Sequence, residues 1–322
     1  MKRSISNPYF IFGLLALLWG LTFLFNKIAG VVVSPIQIVM VRVVMGFLPV
    51  LAFALSRKVL RWEHIRHLHH FVVMSLLAAT VYYYAFATGI SLLPSSTAGM
   101  LSGAIPLFSF VAAAIFLRSE PINIRSISGL LIGFSGVILI ARPWDSAITS
   151  SDLNGVLCIT FGSCCVGLSF VYTRKFISPL GISPIALCTY QLGLASITLL
   201  IMGDYDGISM IFTDWKAAGS LFIGLGLMGT GVAFMCYYHL VGILGAIKTA
   251  SVTYIPPVIG LLTGGLILGE TISISDIIAT AAILSGTLLM QSSRNATANT
   301  QSPPTRTPSD GSTTAQHPCK QT

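Results

Sequence analysis

Few side chains in this sequence could do chemistry, and most of those sit inside apolar runs. Arg42 interrupts IVMVRVVMGF. A guanidinium inside a membrane span is costly and ordinarily faces a cavity or a partner, and its planar fork suits a carboxylate. It could instead snorkel to an interface or brace a neighbouring helix through backbone carbonyls. Gln191 is its approximate counterpart in the second half of the chain, beside Tyr190. Both can hydrogen-bond a polar solute or join helices, a contact worth about 1 kcal/mol. Lys248 precedes Thr249 and Ser251 in GAIKTASVTYIPP. A Lys there could hold a carboxylate or phosphate, or its stem could snorkel to the nearby face.

Aromatic residues gather at Tyr82-Tyr83-Tyr84 and Tyr237-Tyr238. Three consecutive tyrosines cannot share a helix face, so at least one points inward, where its hydroxyl needs a partner. Trp19 falls in the middle of its run, far from the interfacial belts where Trp concentrates, and fits a cavity wall. The candidate substrate-binding set is therefore Trp19, Arg42, Tyr83, Tyr84, Tyr190, Gln191, Tyr238, Lys248 and Ser251. Packed core and lipid-facing positions are the alternative for each aromatic. His64, His67, His69 and His70 crowd one loop. Without further ligands they read as a basic loop at the lipid surface rather than a metal site. No cofactor, metal or catalytic group is indicated. The segment GAIKT has Ile247 where a phosphate-binding loop needs Gly, and the six cysteines form no C-x-x-C pair.

The elements that position these residues follow from composition. Hydrophobic residues make up 54% of the 322 and charged residues 9%, against about 25% charged in soluble domains. The fold class is all-α integral membrane. The net charge of +8 reflects loop residues rather than a nucleic-acid partner. Ten runs can span a bilayer, at about 8–28, 35–56, 70–90, 95–117, 124–142, 153–174, 184–203, 216–239, 245–268 and 273–291. They form two copies of one unit. Segment 95–120 repeats as 245–270, with Pro106 on Pro256 and Glu120 on Glu270, and Pro257 completes a proline pair. Proline inside a span needs repair by neighbours or a cavity, so Pro106, Pro256 and Pro257 are candidate hinges. Each Glu is expected to cap the helix that follows it.

Five spans per copy is an odd number, so the second copy enters from the opposite face and the repeats are inverted. The expected organisation is an N-terminus at 1–7, a first repeat at 8–142, a second at 153–292 and a disordered tail at 293–322. Thirteen of the 18 Lys and Arg residues fall on one face. That asymmetry predicts both termini in the cytoplasm.

Two five-span repeats, Trp19-Gly20 with Phe23, and the elements Pro106…Glu120 and Pro256…Gly269-Glu270 resemble the drug/metabolite transporter superfamily, specifically its EamA-type ten-span exporters. The resemblance covers about residues 8–292. Arg118-Ser119-Glu120 departs from the Leu-Gly-Glu frequent in that family. The resemblance implies alternating access through a central cavity and export of amino acids, amines, drugs or other small metabolites. It implies a multi-pass protein of a bacterial inner membrane.

Arg42 and Lys248 favour a carboxylate-bearing substrate, amino acids first. Uptake or exchange by the same fold stays open. So do proton coupling and a monomer or homodimer. An intramembrane enzyme such as a lipid-linked transferase would need paired carboxylates, metal ligands or an activated nucleophile near a membrane face, and the spans contain none.

Overall fold

The computed structural model describes residues 7–117, 122–145, 149–245, 249 and 251–300, with side chains through 292. Every regular element among them is helical. Nine are long and apolar enough to cross a membrane: α1 Pro8–Ala29, α2 Pro35–Ser56, α3 Trp62–Leu92, α4 Ser95–Phe116, α5 Ile124–Ala141, α6 Ser150–Leu180, α7 Pro184–Met202, α8 Trp215–Leu244 and the last helix, with a span at Ile274–Ser292. Between the last two lies a shorter apolar helix, α9 Ser251–Ile267. The last helix, α10, runs over Ile274–Thr300, past the boundary near 292 that composition suggests. Helices α3, α6 and α8 also outrun the lengths expected of them.

Local sequence explains where the helices begin. Asn7-Pro8 and Ser183-Pro184 open α1 and α7. The polar side chain accepts a backbone N–H of the first turn, and proline fills a position whose N–H has no helical acceptor. At α2, Gln37 Oε1 accepts the N–H of Ser34 at 3.1 Å. Pro106 and the pair Pro256-Pro257 follow the same logic inside the bundle. Helix α4 breaks after Ser102 and restarts at Ile105, so Pro106 lies in a first turn. Helix α9 begins as a tight turn over Ser251–Tyr254 and becomes α-helical at Pro256. The two repeats thus break equivalent spans where proline is tolerated.

The halves interlock. Helices α2 and α7, α4 and α9, and α5 and α10 pack as equivalent pairs, and the packing of α1 on α8 recurs as α6 on α3. That is the contact pattern of a pseudo-twofold relating inverted repeats. Residues of both halves build the largest core cluster, where Phe23, Phe86 and Leu107 meet Ile159 and Ile283. Close approach needs glycine at two seams. A Cβ on Gly46 of α2 would lie 2.4 Å from Thr230 Cγ2 of α8. A Cβ on Gly129 or Gly136 of α5 would lie 2.6 Å from a backbone oxygen of α10.

Polar contacts tie the halves together at the face that carries Lys27. Gln37 Nε2 donates to Asp206 O at 2.8 Å. Arg142 ends α5 in the left-handed region, at φ 42°, and pairs with Asp276 at the start of α10 at 2.6 Å. The Glu270 carboxylate accepts the N–H groups of Ser95 at 2.7 Å and Ser96 at 2.8 Å. This corrects the expectation that Glu270 caps the next helix. It caps α4 of the other repeat, while Ser273 and Asp276 cap α10 reciprocally. Burial favours the neutral carboxyl of Glu270, but the Ser96 and Ser95 donors outweigh it and hold the group below the usual carboxylate range. Its counterpart Glu120 lies outside the described residues.

Candidate functional site

Arg42 is 6% exposed, in the body of α2. Its Nε donates to Thr230 Oγ1 at 3.1 Å, and its guanidinium carbon sits 4.0 Å from the centroid of the Tyr83 ring. Thr230 can accept because its own hydroxyl proton goes to Leu225 O, 2.9 Å away within α8. The stretch Ser220–Val232 of α8 winds as a π-helix, and its glycines let α2 approach closely enough for this contact. No carboxylate pairs with Arg42 among the described residues. A neutral hydroxyl and a ring face hold a buried cation only in part.

Aromatic rings continue the wall on both sides of this cation. Tyr83 stacks at a tilt on Tyr82 at 4.7 Å, Tyr82 meets Phe86 edge-on at 4.7 Å, and Phe86 reaches Phe23 of α1 at 6.4 Å. On the other side Tyr238 packs on the cluster that holds Cys188 and Tyr83, meets Tyr237 at 5.3 Å, and Tyr237 meets Trp19 at 5.7 Å. Trp19 and Phe23 are one turn apart on α1, so both ends of the aromatic path lie on that helix. Tyr82 and Tyr238 are both partly buried. Gln191 lies one turn from Cys188 on α7 and is 3% exposed, and its Oε1 has no hydrogen-bond partner among the described residues. A buried acceptor of that kind is suited to a polar ligand or an ordered water.

Arg42, Tyr83 and Tyr238 are thus brought together, with Trp19 along the same aromatic path and Gln191 on the adjoining stretch of α7. Others stand apart. Tyr84 is 47% exposed and points out of the bundle. The hydroxyl of Tyr190 accepts the N–H of Arg61 at 3.3 Å and pairs with His64 Nδ1 at 3.2 Å, in a surface cleft. Ser251 begins the tight turn of α9, which packs on α1 beside Val252. Lys248 lies outside the described residues. Thr230, Cys188 and Tyr237 join the site without having been singled out for it. Thr230 stands in GLGLMGTGV as the lone hydroxyl in a run of glycines, and that was the available signal.

Comparison with known proteins bears on what this arrangement serves. The model of the EamA-like transporter family matches residues 7–142 and again 153–292. The chain is 25% identical over 272 residues to "Uncharacterized transporter YoaV" of Bacillus subtilis, covering 84% of this chain and 91% of that one. It is 28% identical to "Uncharacterized transporter YvbV" of the same organism, covering 87% of each. It is 25% identical to "Uncharacterized inner membrane transporter YedA" of Escherichia coli, over 61% of this chain and 62% of the other. A crystal structure with 20% sequence identity aligns at a TM-score of 0.57 over 91% of this chain and 99% of its own.

Proposed function

We propose, for a chain that belongs to the EamA-like transporter family, that the transported solute carries a carboxylate, that Arg42 binds it, and that the aromatic wall packs on the rest of the molecule. Amino acids and related carboxylate or amine metabolites are the first class. The carrying observation is the buried Arg42 guanidinium, held by Thr230 and the Tyr83 ring with no carboxylate among the described residues. An anionic substrate would complete the pairing, and a guanidinium binds a carboxylate through two parallel N–H donors. The cycle is alternating access between inverted halves, exporting the solute. Pro106, Pro256 and Pro257 are the proposed points of flexure. The proposed location is a bacterial inner membrane with both termini in the cytoplasm, supported by the charge asymmetry and by the name of the Escherichia coli relative.

The test uses purified protein in liposomes. Transport of an accepted amino acid is compared with that of its amide in wild type, Arg42→Lys and Arg42→Gln. Arg42→Gln is expected to erase the preference for the acid, and Arg42→Lys to weaken affinity because the fork is lost. An acid-to-amide ratio that does not change in Arg42→Gln would make Arg42 a helix-bracing residue.

A further inference from the structure

A second polar site lies at the opposite face from Lys27, where the α2–α3 connection meets the turn between α6 and α7. There a cleft of about 510 Å³ is lined by Arg57, Lys58, Arg61 and Arg66, with His64 and His67 alongside. Glu63 is the one acid in its lining. None of the four cations forms an ion pair among the described residues. The cleft is built rather than draped. Lys58 turns the chain in the left-handed region, at φ 52°. Tyr190 of α7 holds two lining residues in place, through the Arg61 N–H and His64 Nδ1, and its ring stacks on Phe71 at 4.5 Å. Arg57 lays its guanidinium 5.2 Å over the Phe53 ring one turn back, directing charge to the rim.

An apolar ridge descends from this rim. Ile65, Leu68, Val72 and Leu76 of α3 are 51%, 47%, 41% and 42% exposed, and their spacing places them on one helix face. Trp62 is 87% exposed at the head of the ridge, as an interfacial Trp would be. A cleft of unpaired cations continuous with an exposed apolar stripe matches one ligand chemistry, a phosphate headgroup joined to acyl chains. We propose that this cleft is a binding site for an anionic phospholipid, with the headgroup phosphate held by Arg57, Arg61 and Arg66 and one chain lying along Leu68, Val72 and Leu76. The ridge favours a lipid over a free phosphate, and the excess of positive charge favours an anionic over a zwitterionic headgroup.

Native mass spectrometry of the full-length protein in non-ionic detergent tests this, with phosphatidylglycerol, phosphatidylcholine and inorganic phosphate added in separate titrations. Wild type is expected to retain phosphatidylglycerol in preference to phosphatidylcholine. Arg57→Gln, Arg61→Gln and Arg66→Gln should each reduce that preference by about fivefold, the effect of one basic residue near an anionic surface. Arg125→Gln, an equal loss of charge at an exposed position on α5, should leave it unchanged. Equal retention of both lipids by wild type would overturn the proposal, and so would an equal loss in Arg125→Gln. Binding of inorganic phosphate without any preference for phosphatidylglycerol would reassign the cleft to a soluble anion and overturn the lipid assignment.

Discussion

A buried cation with neutral partners is a liability for stability. Thr230 and Tyr83 offset part of the desolvation of Arg42, and a cation–π contact supplies about 2 kcal/mol when dry. A charge at the centre of a span costs about 2.5–3.5 kcal/mol on the insertion scale. Arg42→Met keeps much of the volume and removes the charge. It should therefore raise the melting temperature of the detergent-solubilised protein while abolishing the acid preference. A lower melting temperature would mean that Arg42 is chiefly a brace. The sequence exposed Arg42 because a charge in an apolar run stands out. It could not separate Tyr190 from Gln191. Adjacent helical residues point about 100° apart, and only the packing of α7 tells which of them faces the bundle. Gln191 faces in, and Tyr190 serves the surface cleft.

At the level of elements, glycine decides how near the cation comes to its partners. Gly46 lies one turn beyond Arg42 on α2, and its missing side chain admits Thr230. Gly46→Val should push α2 from the π-helical stretch of α8 and destabilise the protein by about 1–3 kcal/mol. Gly13→Ala on α1 meets nothing within 4 Å and should be neutral or slightly stabilising. Thermal melts of both variants check the contrast. A Gly46→Val protein as stable as wild type would show that the seam yields. The nine long apolar spans and the apolar run that holds the shorter α9 were legible, because length and hydropathy are local properties. The widened turns of α8 and the pairing of Glu270 with α4 were not, since each depends on a contact between segments far apart in sequence. Glu270 and Ser95 are separated by 175 positions.

For the whole molecule, Glu270 makes the joint between halves sensitive to acid. Its depressed pKa means that folding gains stability above the unfolded carboxyl value, about 4.3. That gain is lost as pH falls through the lower folded value. Lys27 is the charged group facing it, and its Nζ donates to Ile90 O at 3.0 Å and Leu93 O at 2.7 Å, at the end of α3. Glu270→Gln should lower the melting temperature at neutral pH. Wild type and variant should converge on acidification. Parallel melting curves across the whole range would show that the cap contributes nothing.

The α5–α10 seam has a mechanical consequence. These two helices are among the least buried of the spans, and they touch each other more than they touch the rest of the bundle. One ends the first repeat and the other ends the second. Backbone meets backbone from Gly129 up to Gly136, and the Arg142–Asp276 pair fastens the Lys27 end. The polypeptide is linear, yet this clasp brings its last span back to its middle, so a pull applied at one repeat travels round a closed ring. A ring of helices cannot open like a book at a free edge. On the proposed cycle it would change shape by redistributing angle among its joints, with the interrupted spans α4 and α9 as the proposed points of flexure.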